Sequence, residues 1–287
     1  MIFTIMSYNI ERGFHNSDHL FQEQRLQAAQ RAVRQVNPDL LALTEACYGG
    51  PNSHGIIMNY QQLFQFPYGQ WGGYRVFGPR GGDHGGNALL SQFPLEGKVI
   101  QFSHKGATEG RIILRDNINL KDKILTVKVV HPSYQTDDKE KIVELSYLME
   151  NHTASYILTG DFNTLHPDDA YDYEELAREF AAFDQQKVRK MFDNWKKAEC
   201  VSWILQQGLQ DAFPSSSRQS TVPTSYAYGR KQNGVRMDFT FHSSDLVVKD
   251  AYVLKNDDTE IASDHYPIVV VFELERGNLL YPKELNH

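Results

Sequence analysis

Four short apolar runs in this 287-residue chain each end in a polar residue able to do chemistry, and that pattern limits the folds open to it. Ile5-Met6-Ser7-Tyr8 ends in Asn9, and Leu40-Leu41-Ala42-Leu43-Thr44 ends in Glu45. Val127-Lys128-Val129-Val130 ends in His131, and Tyr156-Ile157-Leu158-Thr159 ends in Gly160-Asp161-Phe162-Asn163. Such runs, within 2–8, 39–44, 124–130 and 156–159 and bounded by turn residues, read as buried strands. Ligands of open α/β sheets bind beyond the carboxyl ends of strands, so the four polar groups are predicted to share one site.

Further strands are predicted at 87–91, 111–118, 235–241 and 266–274. In 235–241, Val235, Met237, Phe239 and Phe241 alternate with Arg236, Asp238 and Thr240, which puts the two sets on opposite faces. The last run has reversed polarity, because Ser263-Asp264-His265 precedes it. Asp264 and His265 join the other groups only if that strand runs antiparallel to theirs, so the sheet is predicted to be mixed. Helices fall between the strands. Residues 22–36 align Leu26, Ala29, Val33 and Val36 ahead of Asn37-Pro38, and 138–150 align Ile142, Leu145 and Leu148 behind an Asp137/Glu140 capping box. A longer helical stretch is predicted over 171–207, with Val188, Phe192 and Trp195 on one face and a stop at Gly208. No repeat or linker divides the chain, so residues 1–287 are expected to form one α/β domain with a helical insertion at about 165–208.

Composition narrows the function. With 41% hydrophobic and 23% charged residues the chain is globular, and no apolar run approaches the ~18 residues of a membrane span. The net charge of −7 supplies no global field drawing the protein to nucleic acid. Cys47 and Cys200 are the only cysteines and lack metal or redox spacing. With no leader-like start, they make a cytoplasmic location the expectation. The gathered side chains are mainly hard oxygen donors with few imidazoles, which suits Mg²⁺ or Mn²⁺ rather than zinc.

Other features carry less. His15 and His19 lack a third ligand, and Gly81-Gly82-Asp83-His84-Gly85-Gly86 lacks the Gly-Lys-Ser/Thr of a phosphate loop, which leaves His84 and Arg80 only as candidate substrate contacts. Lys187, Arg189, Lys190, Lys196 and Lys197 read as a solvated helix face before they read as a nucleic-acid contact.

The motifs Ser7-Tyr8-Asn9-Ile10, Pro38-Asp39-Leu40 through Glu45, Asn87-Ala88-Leu89-Leu90-Ser91, His131-Pro132, Gly160-Asp161-Phe162-Asn163, Arg236-Met237-Asp238-Phe239 and Ser263-Asp264-His265-Tyr266-Pro267 stand in this order along the chain. In them the sequence resembles the endonuclease/exonuclease/phosphatase superfamily, related to DNase I and exonuclease III. The resemblance implies a two-sheet mixed β-sandwich with helices on its outer faces and metal-dependent hydrolysis of a phosphoester. It also implies roles. Glu45 is the chief ligand of Mg²⁺ or Mn²⁺, with Asn9 and Asp264 completing or supporting the shell. Asp161 orients or deprotonates the attacking water, and Asn163 holds a phosphate oxygen. His265, paired with Asp238, contacts the phosphate or moves a proton, and His131 assists at the leaving-group side. Arg111 is a candidate phosphate contact.

The expected substrate is a compact phosphoester, a small molecule or a lipid headgroup, with no obligate protein partner. The alternative is a DNA- or RNA-directed nuclease of the same superfamily. A phospho-ligand-binding protein without catalysis is the lesser alternative, since every expected catalytic position is filled.

Overall fold

The computed structural model describes residues 1–18, 20–47, 59–75, 84–102, 111–120, 123–133, 136–149, 155–181, 195–228 and 234–274. Two six-stranded mixed sheets face each other across a shared core. The first contains β1 (Ile2–Asn9), β2 (Leu40–Thr44), β3 (Tyr68–Arg75), β4 (His84–Ser91), β11 (Leu246–Val253) and β12 (Ile268–Leu274), in the order β11-β12-β1-β2-β4-β3. The second contains β5 (Leu95–Phe102), β6 (Arg111–Leu120), β7 (Lys123–Val130), β8 (Ser155–Asp161), β9 (Gln210–Asp211) and β10 (Asp238–His242), in the order β5-β6-β7-β8-β10-β9.

The central strands β1, β2, β7 and β8 read as largely apolar runs because both of their faces are covered. Phe3 and Ile5 of β1 and Leu40 and Ala42 of β2 meet Leu125, Val127, Val129 and Ile157 of the second sheet. From the opposite faces, Met6, Tyr8, Leu41 and Leu43 pack beneath α1 (Glu23–Val36), against Leu26, Ala29 and Val33. On the far side, Tyr156, Leu158, Phe239 and Phe241 lie under Leu145 of α3 (Asp138–Met149) and Cys200, Val201 and Ile204 of α5 (Glu199–Gln206). Each such aliphatic or aromatic side chain contributes roughly 1.5–3 kcal/mol by leaving water. Helix, sheet, sheet and helix are thus stacked as the sequence implied.

The caps are local. Asn37 ends α1 in the left-handed region, with φ 49°, just ahead of Pro38. At the start of α3, Asp137 Oδ1 accepts from the Glu140 N–H at 2.9 Å. Two shorter helices, α2 (Tyr60–Phe64) and α4 (Tyr173–Ala181), and two late ones, α6 (Ser225–Tyr228) and α7 (Asp257–Ala262), complete the helices used below.

Two expectations change. The stretch 171–207 is not one helix: α4 ends at Ala181, and α5 begins after Ala198, whose φ of 47° breaks the helical path. Val188 and Phe192 lie outside the described residues, as do Lys187, Arg189 and Lys190. The strand expected at 235–241 starts only at Asp238, and Val235 makes an isolated bridge to Val222 instead. Among the described residues no helix is long and apolar enough to cross a membrane.

Polarity is what positions the site. β1 and β2 are parallel, as are β7 and β8, so each pair delivers two carboxyl ends to the same edge. β12 runs antiparallel to β1, and β10 runs antiparallel to β8, so the residues at and before their starts arrive at that edge too. The register sets Asp238 directly beside Asp161.

Candidate functional site

Of the eight polar residues brought to this edge, Asn9, His131 and His265 converge on one carboxylate oxygen of Asp161. Asp161 Oδ2 accepts from Asn9 Nδ2 at 3.0 Å and lies 3.4 Å from His131 Nε2 and 3.7 Å from His265 Nε2. Its other oxygen accepts from the Asn163 N–H at 2.8 Å. Gly160 makes the approach possible: at φ 140°, a Cβ there would strike the Val130 carbonyl of β7.

Glu45 turns off β2 in the left-handed region, with φ 53°. For a residue with a Cβ that conformation costs about 1–2 kcal/mol, and such strain persists where surrounding contacts over-determine it. Here Glu45 Oε1 accepts from Asn9 Nδ2 at 3.3 Å, and Oε2 accepts from the Arg12 N–H at 2.9 Å. Its side chain is 28% exposed, while that of Asp161 is 2% exposed, so Glu45 stands at the mouth and Asp161 at the floor. Asn9 Oδ1 accepts from the Glu11 N–H at 3.0 Å, which aims the amide nitrogen at the two carboxylates.

His265 is held from behind. Its Nδ1 lies 2.7 Å from Asp238 Oδ2, which fixes the ring and leaves Nε2 toward Asp161. Burial opposes a charge on this ring, but Asp238, Asp264 and Asp161 together raise it well above the ordinary histidine range. Burial would likewise raise the Asp161 carboxyl; His265, His131 and the Asn163 N–H hold it below the usual carboxylate range instead. Asp264 is half-buried, and burial with the repulsion from Glu45 pushes its carboxyl upward. Two carboxylates that repel across a partly open position are a cation's electrostatic complement.

Asn163 takes φ 49°, donates Nδ2 to the Pro132 carbonyl at 3.0 Å, and is fixed by Lys141 Nζ on its own carbonyl at 2.6 Å. Arg111 starts β6 at the end that carries His131, since Leu114 pairs with Val129; its side chain lies outside the described residues. Arg80 and His19 also fall outside, and His15 sits in a bridge to Phe21 rather than on a helix.

Sequence reading missed two charged residues that organise this edge, Arg25 and Lys141, which are 4% and 1% exposed. A signal existed. Arg25 stands on the stripe of Ala29 and Val33, and Lys141 on that of Leu145, so each interrupts an apolar helix face.

The donor set can be tested against a divalent cation. Among the described residues no three carboxylate, imidazole or thiolate groups close into a preformed metal cage. Mg²⁺ does not need one, since it is commonly held by one or two carboxylates and keeps several waters. Glu45 and Asp264, with the Asn9 carboxamide behind them, fit that mode.

Comparison with known proteins agrees with the fold. An endonuclease/exonuclease/phosphatase from Beutenbergia cavernae superposes with a TM-score of 0.67 at 22% identity, over 95% of this chain and 72% of that one. Truncated Caenorhabditis elegans TDP2 gives 0.57 at 18% identity, over 95% and 97%. ANGEL2, a 2',3'-cyclic phosphatase in complex with adenosine-2',3'-vanadate, gives 0.60 at 14% identity, over 96% of both chains. No curated protein matches the sequence. The model of the Endonuclease/Exonuclease/phosphatase family matches residues 6–265, from β1 through His265, and the chain belongs to that family.

Proposed function

We propose that the chain is a divalent-metal-dependent phosphoesterase that hydrolyses a compact phosphoester by an oriented water. Members of its family are hydrolases acting on phosphoesters. The observation that carries the reading is the convergence of Asn9, His131 and His265 on Asp161 Oδ2, within 3.0–3.7 Å.

Glu45 and Asp264 would hold Mg²⁺ or Mn²⁺, with Asn9 supporting them. When bound, the cation would offset charge on the phosphoryl oxygens. The protein's own groups supply the rest. Asp161 would orient the attacking water through Oδ2, the oxygen that faces His131 and His265. His265, braced by Asp238, presents Nε2–H to a phosphoryl oxygen that gains charge in the transition state. His131 Nε2, 4.0 Å from Glu45 and 3.4 Å from Asp161, faces the same space from β7 and is suited to the departing oxygen. Asn163 has a second amide N–H to give to phosphate beyond the one spent on Pro132.

A compact substrate is favoured over nucleic acid by the net charge of −7, because duplex affinity is built largely from neutralised phosphates. ANGEL2, similar in fold, is a 2',3'-cyclic phosphatase, so phosphoester chemistry of this kind is within reach of the fold. The test is kcat/KM for small phosphodiesters, phosphomonoesters, plasmid DNA and RNA with Mg²⁺ near physiological salt, with Asp161→Asn as the control. Higher kcat/KM for a small ester, lost in Asp161→Asn, is expected. Efficient plasmid nicking would favour a nuclease instead.

A further inference from the structure

Arg25 belongs to α1, away from every motif of the catalytic edge, yet its guanidinium is almost wholly buried there. Nε donates to the Ala262 carbonyl at 2.8 Å, and Nη1 to the His15 carbonyl at 3.1 Å. Nη2 donates to the carbonyls of Ile10 and Glu11, both at 3.3 Å, and lies 3.0 Å from Glu11 Oε2. The Tyr226 ring covers the guanidinium, with its centroid 4.3 Å from Cζ.

These acceptors belong to two segments that adjoin the candidate ligands or hydrogen-bond to them. The first is the turn after β1, where Glu11, Arg12, Gly13 and Phe14 take φ values of 38°, 54°, 59° and 66°. Three of these residues carry a Cβ, so the turn is strained and needs outside contacts to persist. It is also what supplies the Glu11 N–H to Asn9 and the Arg12 N–H to Glu45. The second segment is the end of α7. Ala262 is followed by Ser263, whose Oγ donates to the Asn9 carbonyl at 2.7 Å and lies 3.2 Å from Asp264 Oδ1.

We propose that Arg25 is a positioning residue for the divalent cation: its guanidinium fork clamps the Ile10–His15 turn to the end of α7 and thereby sets the spacing of Asn9, Glu45 and Asp264. The inference rests on the metal reading above and deepens it, since it assigns a residue that touches neither cation nor substrate. Lysine would keep the charge but lose the planar fork that reaches four carbonyls, so Arg25→Lys separates geometry from charge.

The test is Mn²⁺ binding to purified protein, followed by the electron paramagnetic resonance of free Mn²⁺, beside thermal melting of the metal-free forms. Arg25→Lys is expected to raise the Mn²⁺ Kd about tenfold, the scale seen when groups behind metal ligands are lost. A structural role alone would lower Tm and leave the Kd of the folded protein unchanged, and that result overturns the inference. If Arg25→Lys does not fold, Tyr226→Leu serves, because it lets water compete for the guanidinium while keeping every donor. It is expected to raise the Kd about threefold, and an unchanged Kd overturns the inference as well. Wild-type protein that binds no Mn²⁺ overturns the metal reading together with this inference; wild-type binding matched by both variants overturns the inference alone.

Discussion

At the scale of single residues, the histidine on the Ser263-Asp264-His265 turn works only as well as its brace. Asp238 is 1% exposed and sits 2.7 Å from His265 Nδ1, so Asp238→Asn keeps the shape but removes the charge that holds the ring protonated and aimed. His265→Ala and Asp161→Asn are each expected to lower kcat ~100-fold or more, the range of proton-transfer and transition-state contacts. Asp238→Asn should lower kcat with little change in KM, because Asp238 is buried behind His265 and acts through its Nδ1. Steady-state kinetics on the best small ester check all three; near-normal kcat in His265→Ala would contradict the assignment. Most of the candidate residues were legible in the sequence because they flank apolar runs, while Asp238 stood out as an acid inside the alternating 235–241 segment. Their braces were less so. Arg25 and Lys141 look like ordinary helix charges until the opposing backbone carbonyls are known.

At the scale of elements, the joint between α3, α5 and the loop after β8 rests on one buried ion pair. Lys141 Nζ lies 3.3 Å from Asp138 Oδ1 and donates to the Asn163 carbonyl, while Asp138 Oδ2 accepts from Thr164 Oγ1 and the Cys200 N–H. Removing one partner strands the other, and such a loss costs about 3–5 kcal/mol. Lys141→Met is therefore expected to destabilise the fold by that amount in urea unfolding; a change below about 1 kcal/mol would contradict the account. Another buried carboxyl, Asp116 of β6, lies at the edge where β3 meets the second sheet, against the Gln70 carboxamide. Burial pushes it up to about 7. A carboxyl raised on folding favours the folded state at low pH, and that contribution is lost as pH climbs from ~4 through ~7. Asp116→Asn should accordingly melt higher than wild type at pH 8 and show a flatter Tm profile between pH 5 and 8. Parallel profiles for the two proteins would contradict this.

The same scale explains which elements escaped the sequence. β3, Tyr68–Arg75, contains three glycines and no aliphatic run, and β5 is an edge strand with Leu95, Val99 and Ile100 among polar residues. β11 breaks its alternation at a register shift between Val248 and Asp250. Strands at a sheet edge bury less, so their pattern is weak, whereas β1, β2, β7 and β8 are central and covered on both faces. The helix overextended across 171–207 reflects a periodicity that continues over Ala198 although the backbone there does not.

At the scale of the whole molecule, two β-α-β units, β1-α1-β2 and β7-α3-β8, one in each sheet, present their carboxyl ends at the same edge of the sandwich. One unit brings Asn9 and Glu45, the other His131 and Asp161. The antiparallel neighbours β12 and β10 deliver Asp264 and His265, and Asp238, into the space between them. Glu45 and Asp264 leave this edge acidic toward its mouth, and the proposed cation would offset that charge for a phosphate. The most direct measurement is hydrolysis of a small phosphodiester by protein stripped with EDTA and then titrated with Mg²⁺ or Mn²⁺. Activity should vanish on chelation and return with either cation, and Glu45→Gln should require a higher cation concentration to recover it. Full turnover after exhaustive chelation would contradict the account.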